Sequence, residues 1–103
     1  MLLLVCKSAP EDSAAREWTD MALMAAMFQQ HPVVLLLGSG VRNLTAPETA
    51  LSDLAGLLTE PCRVDAAALS HDPGAEDTAL DYECLDTAGI RQLYARARKV
   101  LTL

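Results

Sequence analysis

The sequence lacks the glycine-rich loops that most nucleotide-binding folds use. No GxGxxG stretch follows an apolar segment, and no GxxxxGK[ST] stretch occurs in the 103 residues. Such loops place backbone amides around phosphates, so their absence excludes the standard dinucleotide and P-loop sites. The first apolar segment ends in Cys6-Lys7 rather than in an acidic pair, which disfavours a phosphate-accepting receiver domain.

Metal-ligand spacing is also missing. His31, His71 and the three cysteines lie far apart, and no CxxC pair is present, so we predict no metal site and no cofactor. An odd number of unpaired cysteines is typical of reduced thiols in a reducing compartment. Residues 1–6 are apolar but too short for a membrane span or a signal peptide. We therefore expect a cytoplasmic protein that does not associate with a membrane.

Basic residues are few. Eight Lys and Arg stand against 14 Asp and Glu, which gives a net charge of −6 and argues against direct nucleic-acid binding. The one basic cluster comes at the end of a predicted helix, where it complements the negative end of the helix dipole; a nucleic-acid contact is the alternative. Its members are Arg91, Arg96, Arg98 and Lys99.

Aromatic residues are also scarce. Only four occur, so the apolar fraction of 51% consists mainly of Leu, Val, Ala and Met. This content is high for a chain of one domain, residues 1–103. Either the core is tightly packed in a monomer, or apolar surface is left for contact with other subunits.

The most informative segment is residues 33–41, VVLLLGSGV. Five consecutive apolar residues led by two valines show no alternation between faces, which predicts a central parallel strand covered by helices on both sides. Gly38 and Gly40 then end the strand. Since sites in open parallel sheets lie past the carboxyl ends of strands, the loop at Gly38–Leu44 is the first place to look for function.

The other segments alternate between strand and helix patterns. Strands are expected at residues 1–6, 62–65 and 99–103, and residues 81–85 are either a short strand or the approach to the last helix. Two S/T-x-x-E spacings, Ser8 to Glu11 and Thr45 to Glu48, fit capping boxes, although Asp12 or Ser13 are alternative caps for the first helix. Residues 70–77 are predicted to form a polar surface loop. The alternation predicts an α/β sandwich with a mainly parallel sheet.

The first predicted helix reaches about Gln30, and its second half is apolar around the whole cylinder. One sheet covers only one side of a helix, so Met21, Met24 and Phe28 are candidates for a subunit interface. An adaptable, methionine-rich core is the alternative interpretation.

Cysteines are the remaining candidate nucleophiles. Cys6 lies in an apolar strand and is expected to be inert, whereas Cys84 has the acidic neighbours Glu83 and Asp86, which raise a thiol pKa. Cys62 is the catalytic candidate because Arg63 follows it and a helix is predicted to start at Ala66. Both a cation and a helix N-terminus favour the thiolate.

In the order of these segments, the chain resembles the DsrE/DsrF/DsrH-like sulfur-relay family, most closely its TusC/DsrF-type subunit. The resemblance covers nearly the full length. It rests on the opening strand before Ser8-Ala9-Pro10, the helix beginning at Ala14, the strand ending at residues 38–41, and the segment CRVDAAAL at residues 62–69. Residues 85–103 match the family's closing helix and strand.

The resemblance implies a three-layer α/β/α sandwich, flavodoxin-like, with a sheet of four to five mainly parallel strands. It also implies assembly with related small DsrE/DsrH-like subunits, or with copies of the same chain, and transfer of persulfide sulfur to a TusE/DsrC-type acceptor. The pathway ends in tRNA thiolation in one branch and serves sulfur oxidation in the other. The implied chemistry is thiolate attack on a persulfide and needs no cofactor.

Three departures from the family pattern qualify this role. Val64 stands where TusD/DsrE-type subunits carry their sulfur-bearing cysteine, and Cys62 lies two positions earlier. Ser39 replaces the usual Asp after the central strand, and the chain is shorter between Leu69 and Asp81. We therefore expect a structural TusC/DsrF-like subunit, in which Cys62 is the sulfur carrier if this chain has one.

Two other classes stay open. A stand-alone homo-oligomer that carries sulfur or senses thiol redox state predicts an exposed Cys62. A scaffold protein without thiol chemistry predicts that all three cysteines are buried.

Overall fold

The computed structural model describes residues 1–28, 30–44, 56–70 and 81–103. The elements in chain order are β1 (Leu2–Cys6), α1 (Ser13–Met27), β2 (Val33–Leu36), a 3₁₀ helix (Gly38–Leu44), β3 (Cys62–Asp65), α2 (Ala66–Leu69), β4 (Tyr82–Leu85), α3 (Thr87–Arg96) and β5 (Lys99–Thr102). The predicted capping box at Thr45 to Glu48 and nearly all of the predicted loop at residues 70–77 lie outside the described residues.

The five strands form one sheet in the order β4-β3-β2-β1-β5, and all four neighbouring pairs are parallel. β2, the strand predicted to be central, is the middle strand, and all four of its residues are buried. The segment at residues 81–85, for which a strand and a helix approach were both open, contains the edge strand β4. The prediction of a parallel α/β sheet is confirmed.

Helices cover both faces of this sheet. One face of β1 and β2 presents Leu4, Cys6, Val34 and Leu36, which pack with Trp18 and Ala22 of α1. The opposite face presents Leu3, Val5, Val33 and Leu35, which pack with Leu93 of α3. We call these the α1 face and the α3 face. The fold is therefore a three-layer α/β/α sandwich of the flavodoxin-like type, as expected.

A side-chain cap explains where α3 begins, whereas α1 begins without one. Asp12 rather than Ser8 is the N-cap residue of α1, and its side chain makes no capping hydrogen bond. Asp86 caps α3 by accepting a hydrogen bond from the Gly89 amide at 2.8 Å. α1 ends at Met27, earlier than the predicted Gln30, and His31 then adopts a left-handed conformation with φ of 48° before β2 begins.

Candidate thiol site

The three cysteines lie on strands β1, β3 and β4. Cys6 and Cys62 belong to the buried cluster on the α1 face, and Cys84 pairs in register with Val64 of that cluster. The pairing continues from Val64 to Leu36 and from Leu36 to Cys6, so Cys6 and Cys84 lie in one row across the sheet. Three strand spacings separate these two residues, about 14 Å, which is too far for a disulfide.

Cys62, the predicted catalytic residue, is buried. Only 1% of it is exposed. Burial raises the pKa of the Cys62 thiol to about 11, although the charge of Arg63 and a backbone hydrogen bond act to lower it. The thiol is therefore protonated at neutral pH in this conformation. Cys62 stays the predicted sulfur carrier only on the condition that the protein opens around it.

Arg63 lies in a position that limits its effect on Cys62. Successive residues of a strand point to opposite faces, so the guanidinium is on the α3 face and the thiol on the α1 face. Arg63 is ion-paired with Glu60 at 2.9 Å and with Glu83 at 3.5 Å, and it also donates to the Pro61 carbonyl oxygen at 2.6 Å. Its charge is thus committed to carboxylates on the other side of the sheet, and burial dominates the pKa of Cys62.

The helix at Ala66, whose N-terminus was also predicted to favour the Cys62 thiolate, forms but is too far from Cys62. α2 begins at Ala66, and the Asp65 side chain accepts a hydrogen bond from the Ala67 amide at 3.1 Å. Cys62 stands at the amino end of β3, about 10 Å along the strand from Asp65. Cys62 therefore lies at the end of the sheet where the strands begin. Parallel sheets bind their ligands at the other end, past the carboxyl ends of the strands.

Cys6 is the last residue of β1 and so lies at the end of the sheet where ligands usually bind, but it is buried. Its thiol donates a hydrogen bond to the Ser8 carbonyl oxygen at 3.5 Å, and Asn43 Nδ2 donates to Cys6 Sγ at 3.6 Å. Burial raises the pKa of Cys6, and the hydrogen bond with Ser8 opposes that shift. The expectation that Cys6 is a buried residue of the core agrees with this geometry.

The loop at Gly38–Leu44 was the first place to look for function, and it is a closed 3₁₀ helix. Gly38 has a φ of +51°, and a Cβ at Gly40 would collide with the Cys6 carbonyl oxygen, so both positions require glycine. Asn43 is buried and donates hydrogen bonds to the carbonyl oxygens of Ser8 and Gly40, both at 2.9 Å. The loop therefore seals the carboxyl ends of β1 and β2.

Sequence reasoning missed the role of Asn43 in this seal. The available signal was an amide side chain three residues after the second glycine of a G-x-G turn, because such a side chain can donate to the carbonyl oxygens that the turn leaves free. Nearby, Arg42 and Glu11 form an exposed ion pair of 2.7 Å. A backbone hydrogen bond and then the hydrogen bond from Arg42 hold the pKa of Glu11 below its ordinary value.

Cys84 is the exposed cysteine of the chain. It lies on β4, which has a neighbour on one side only among the strands that the structure describes. Its register partner is Val64, which occupies the position of the sulfur-bearing cysteine in the family resemblance. The one exposed thiol of the three is thus on the strand next to Val64, the position where the family resemblance would place the sulfur-bearing cysteine.

The end of α1 exposes apolar side chains. Met24, Met27 and Phe28 are exposed by 61%, 68% and 72%, and we call these three residues the α1 apolar surface. Met24 and Phe28 were predicted for it, whereas Met21 is half-buried and Met27 joins instead. The two interpretations of this helix were a surface for contact with other subunits and a packed core. The end of the helix is exposed surface, whereas Ala15, Trp18 and Ala22 are packed in the core.

Among the described residues, no three His, Cys, Asp or Glu side chains come together in a way that could hold a metal ion. Among the same residues, no helix has the length and apolar character needed to cross a membrane.

The fold is of the flavodoxin-like α/β class. Comparison with known proteins finds a similar structure but no similar sequence. No protein-family model matches the sequence, and no curated protein matches it. Among solved structures, the chain is similar to the YchN protein from E. coli, with a TM-score of 0.79, 16% identity, and coverage of 99% of this chain and 97% of that one. YchN has a DsrE-like fold, and at this identity the likeness shows the fold alone.

Proposed function

We propose that this chain is a cytoplasmic DsrE-like member of a sulfur-relay complex and serves mainly as a structural, TusC/DsrF-like subunit. The shared fold with YchN supports the DsrE-like part of the proposal. The observation that carries the structural role is the burial of Cys62 together with a non-thiol residue, Val64, at the expected sulfur-bearing position. A thiol with a pKa near 11 has little thiolate to offer at neutral pH.

In such a complex the sulfur would be carried by a related DsrE/DsrH-like subunit. The thiolate of a TusE/DsrC-type acceptor attacks the outer sulfur of the carrier's persulfide. One S–S bond forms, one breaks, and the carrier leaves as a thiolate, so no outside oxidant or reductant is required. This chain would contribute surface for assembly, and the exposed Met24, Met27 and Phe28 supply apolar area for it. Its acidic charge leaves any tRNA contact to another protein.

A second candidate is a stand-alone homo-oligomer that carries sulfur itself or senses thiol redox state. The exposure of Cys84 favours it. The stand-alone homo-oligomer was predicted to have an exposed Cys62, but Cys62 is buried. The scaffold was predicted to have three buried cysteines, but Cys84 is exposed. The scaffold alternative without thiol chemistry is weakened by that one exposed thiol.

The native mass of the protein, alone and after co-expression with the products of neighbouring genes, tests the leading proposal. We expect a stable complex that contains related small subunits. The Met24→Lys/Phe28→Lys double variant should lose that complex, whereas a control with exposed polar positions of α1 changed, Glu17→Lys/Asp20→Lys, should keep it. A monomer or homo-oligomer that ignores all partners would contradict the proposal.

Persulfide loading separates the candidates further. The purified chain is incubated with a cysteine desulfurase and cysteine, and each cysteine-containing peptide is examined by mass spectrometry for one added sulfur atom. The structural role predicts no loading. Loading that Cys84→Ser removes supports the stand-alone carrier, and loading that Cys62→Ser removes supports Cys62 as the carrier after an opening motion.

A further inference from the structure

Basic charge is segregated at one end of this acidic protein. Residues 87–103 contain four of the eight basic residues and none of the 14 acidic residues. All four basic side chains are exposed, and none of them makes an ion pair with any of the residues that the structure describes. Arg96 lies in the last turn of α3, where the helix dipole accounts for it. Arg98 and Lys99 lie beyond the helix, so the dipole does not account for them.

Arg98 and Lys99 line an open groove of about 470 Å³ at the amino ends of β1 and β5. The remaining lining residues are Met1, Leu2, Gln30 and Leu101. The groove therefore combines two unpaired cations with apolar walls. Such a surface fits a segment that carries both carboxylates and apolar side chains.

The groove continues into an unpaired sheet edge. β5 pairs with β1 on one side and, within the described chain, with no strand on the other. The Leu103 amide donates to the Val5 carbonyl oxygen at 3.1 Å, and the Lys7 amide donates to the Leu103 carbonyl oxygen at 2.8 Å. Backbone groups alternate in direction along a strand, so Val100 and Thr102 direct their N–H and C=O groups toward the open edge.

We propose that the β5 edge and its groove bind an extended acidic segment of a partner protein, which adds to the sheet as a further strand. Main-chain hydrogen bonds to Val100 and Thr102 would hold the segment, and its carboxylates would lie against Arg98 and Lys99. This is the strand-addition mode of peptide recognition. Val100, which is 38% exposed, offers an apolar contact on the same edge.

Two features favour a polypeptide over a nucleic acid at this surface. The free amides and carbonyls of a sheet edge match another polypeptide backbone, and the apolar groove wall offers nothing to a phosphate chain. In addition, the rest of the molecule contains all 14 acidic residues and repels a polyanion at long range. A short acidic segment is held locally, where the two cations are closest.

The opposite edge of the same sheet provides an internal contrast. Within the described part of the chain β4 is also an edge strand, but Asp81, Glu83 and Asp86 lie in and beside it, and all three are exposed. An acidic segment would be repelled there. The charge pattern therefore predicts one binding edge, not two.

Fluorescence anisotropy with a labelled ten-residue peptide of alternating glutamate and valine tests the charge requirement. We expect saturable binding that weakens with added salt and weakens at least tenfold in the Arg98→Glu/Lys99→Glu variant. The matched control is Lys7→Glu/Arg16→Glu, which makes the same change of charge at exposed positions outside the groove and should bind like the parent. Equal binding by both variants, or by a lysine–valine peptide, would overturn the proposal.

Hydrogen exchange and a backbone substitution test the strand addition. The peptide should slow exchange of the Val100 and Thr102 amides at least tenfold. Thr102→Pro removes an outward N–H without removing a bond to β1 and should abolish binding, while Thr102→Val should retain it; circular dichroism checks that both variants fold. Tighter binding of a single-stranded RNA oligonucleotide than of the peptide would contradict the proposal. Loss of the sulfur-relay role would leave these outcomes unchanged.

Discussion

β3 and β4 are parallel neighbours, and each presents one cysteine to the same face of the sheet, yet the two thiols differ in their exposure to solvent. Cys62 pairs with Tyr82, and Cys84 pairs with Val64, two residues further along the strands. Cys62 is buried and Cys84 is exposed. The difference follows from the position of each strand, because among the described strands β3 has neighbours on both sides and β4 has a neighbour on only one.

This comparison separates the effect of neighbouring charge from the effect of burial. Cys62 has a cation next to it in sequence, but the guanidinium lies on the other face, and burial raises the pKa. Cys84 has acidic neighbours, but solvent reaches it. Which thiol is accessible to solvent is therefore decided by the position of its strand in the sheet and not by the charge of the adjacent residue.

The largest contrast is expected in alkylation. In the native protein Cys84 should react with iodoacetamide on the order of a thousandfold or more faster than Cys62, because a buried thiol in an inner strand reacts only after an opening that costs a large part of the unfolding free energy. Peptide mapping by mass spectrometry over time measures both rates. Similar rates would mean that β3 opens easily, and Cys62 would regain its place as the candidate carrier.

Gly40→Ala should open the sealed end of β1 and β2. The added methyl group collides with the Cys6 carbonyl oxygen, a backbone atom that cannot move without disturbing the sheet. We expect a loss of roughly 3 kcal/mol in the free energy of unfolding and faster alkylation of Cys6. Chemical denaturation measures the first effect, and Ser39→Ala at the exposed neighbouring position is the control. A loss below about 1 kcal/mol would show that the loop is not tightly packed on β1.

Alkaline pH should destabilise the protein through Cys62. The unfolded thiol ionises from its ordinary pKa of 9.0, and the folded thiol keeps its proton up to about 11. The stabilising contribution is thus complete below pH 9 and is lost as the pH rises toward 11, roughly 2 to 3 kcal/mol in total. Urea denaturation at several pH values measures it. Cys62→Ala should remove most of this decline, while the part due to Cys6 remains.

The smallest effect is expected at the edge strand. Cys84→Ser replaces an exposed thiol with a hydroxyl and should change the free energy of unfolding by less than about 0.5 kcal/mol. Cys62→Ser, on the neighbouring inner strand β3, should cost about 1 to 3 kcal/mol because a hydroxyl is buried among apolar side chains. The two denaturation curves compare the strands directly, and equal losses would break the contrast.

Much of the fold was predictable from the sequence because its strands are strongly marked. A run of apolar residues without alternation identified β2 as central, and the cap Asp12 was among the alternatives considered for the first helix. The end of α1 was placed too late, at about Gln30 instead of Met27, because periodicity alone does not show at which residue a helix leaves the sheet.

The site was less predictable, for a physical reason. Arg63 and Ala66 were correctly recognised as a cation and a helix start, but their effect on Cys62 depends on the face and on the direction along β3. Both are properties of three-dimensional register. The exposure of Cys84 likewise depends on its strand being an edge, which no local pattern around residues 82–85 reveals.

The pairing of β1 with both β2 and β5 also bears on how the chain folds during synthesis. β1 leaves the ribosome first among the strands, and its partner β5 leaves last, nearly a whole chain length later. Until then one side of an apolar inner strand stays unpaired, a state that is prone to aggregate. Contacts between segments so far apart in sequence slow folding, so the nascent chain is expected to depend on chaperones until residues 99–102 have emerged.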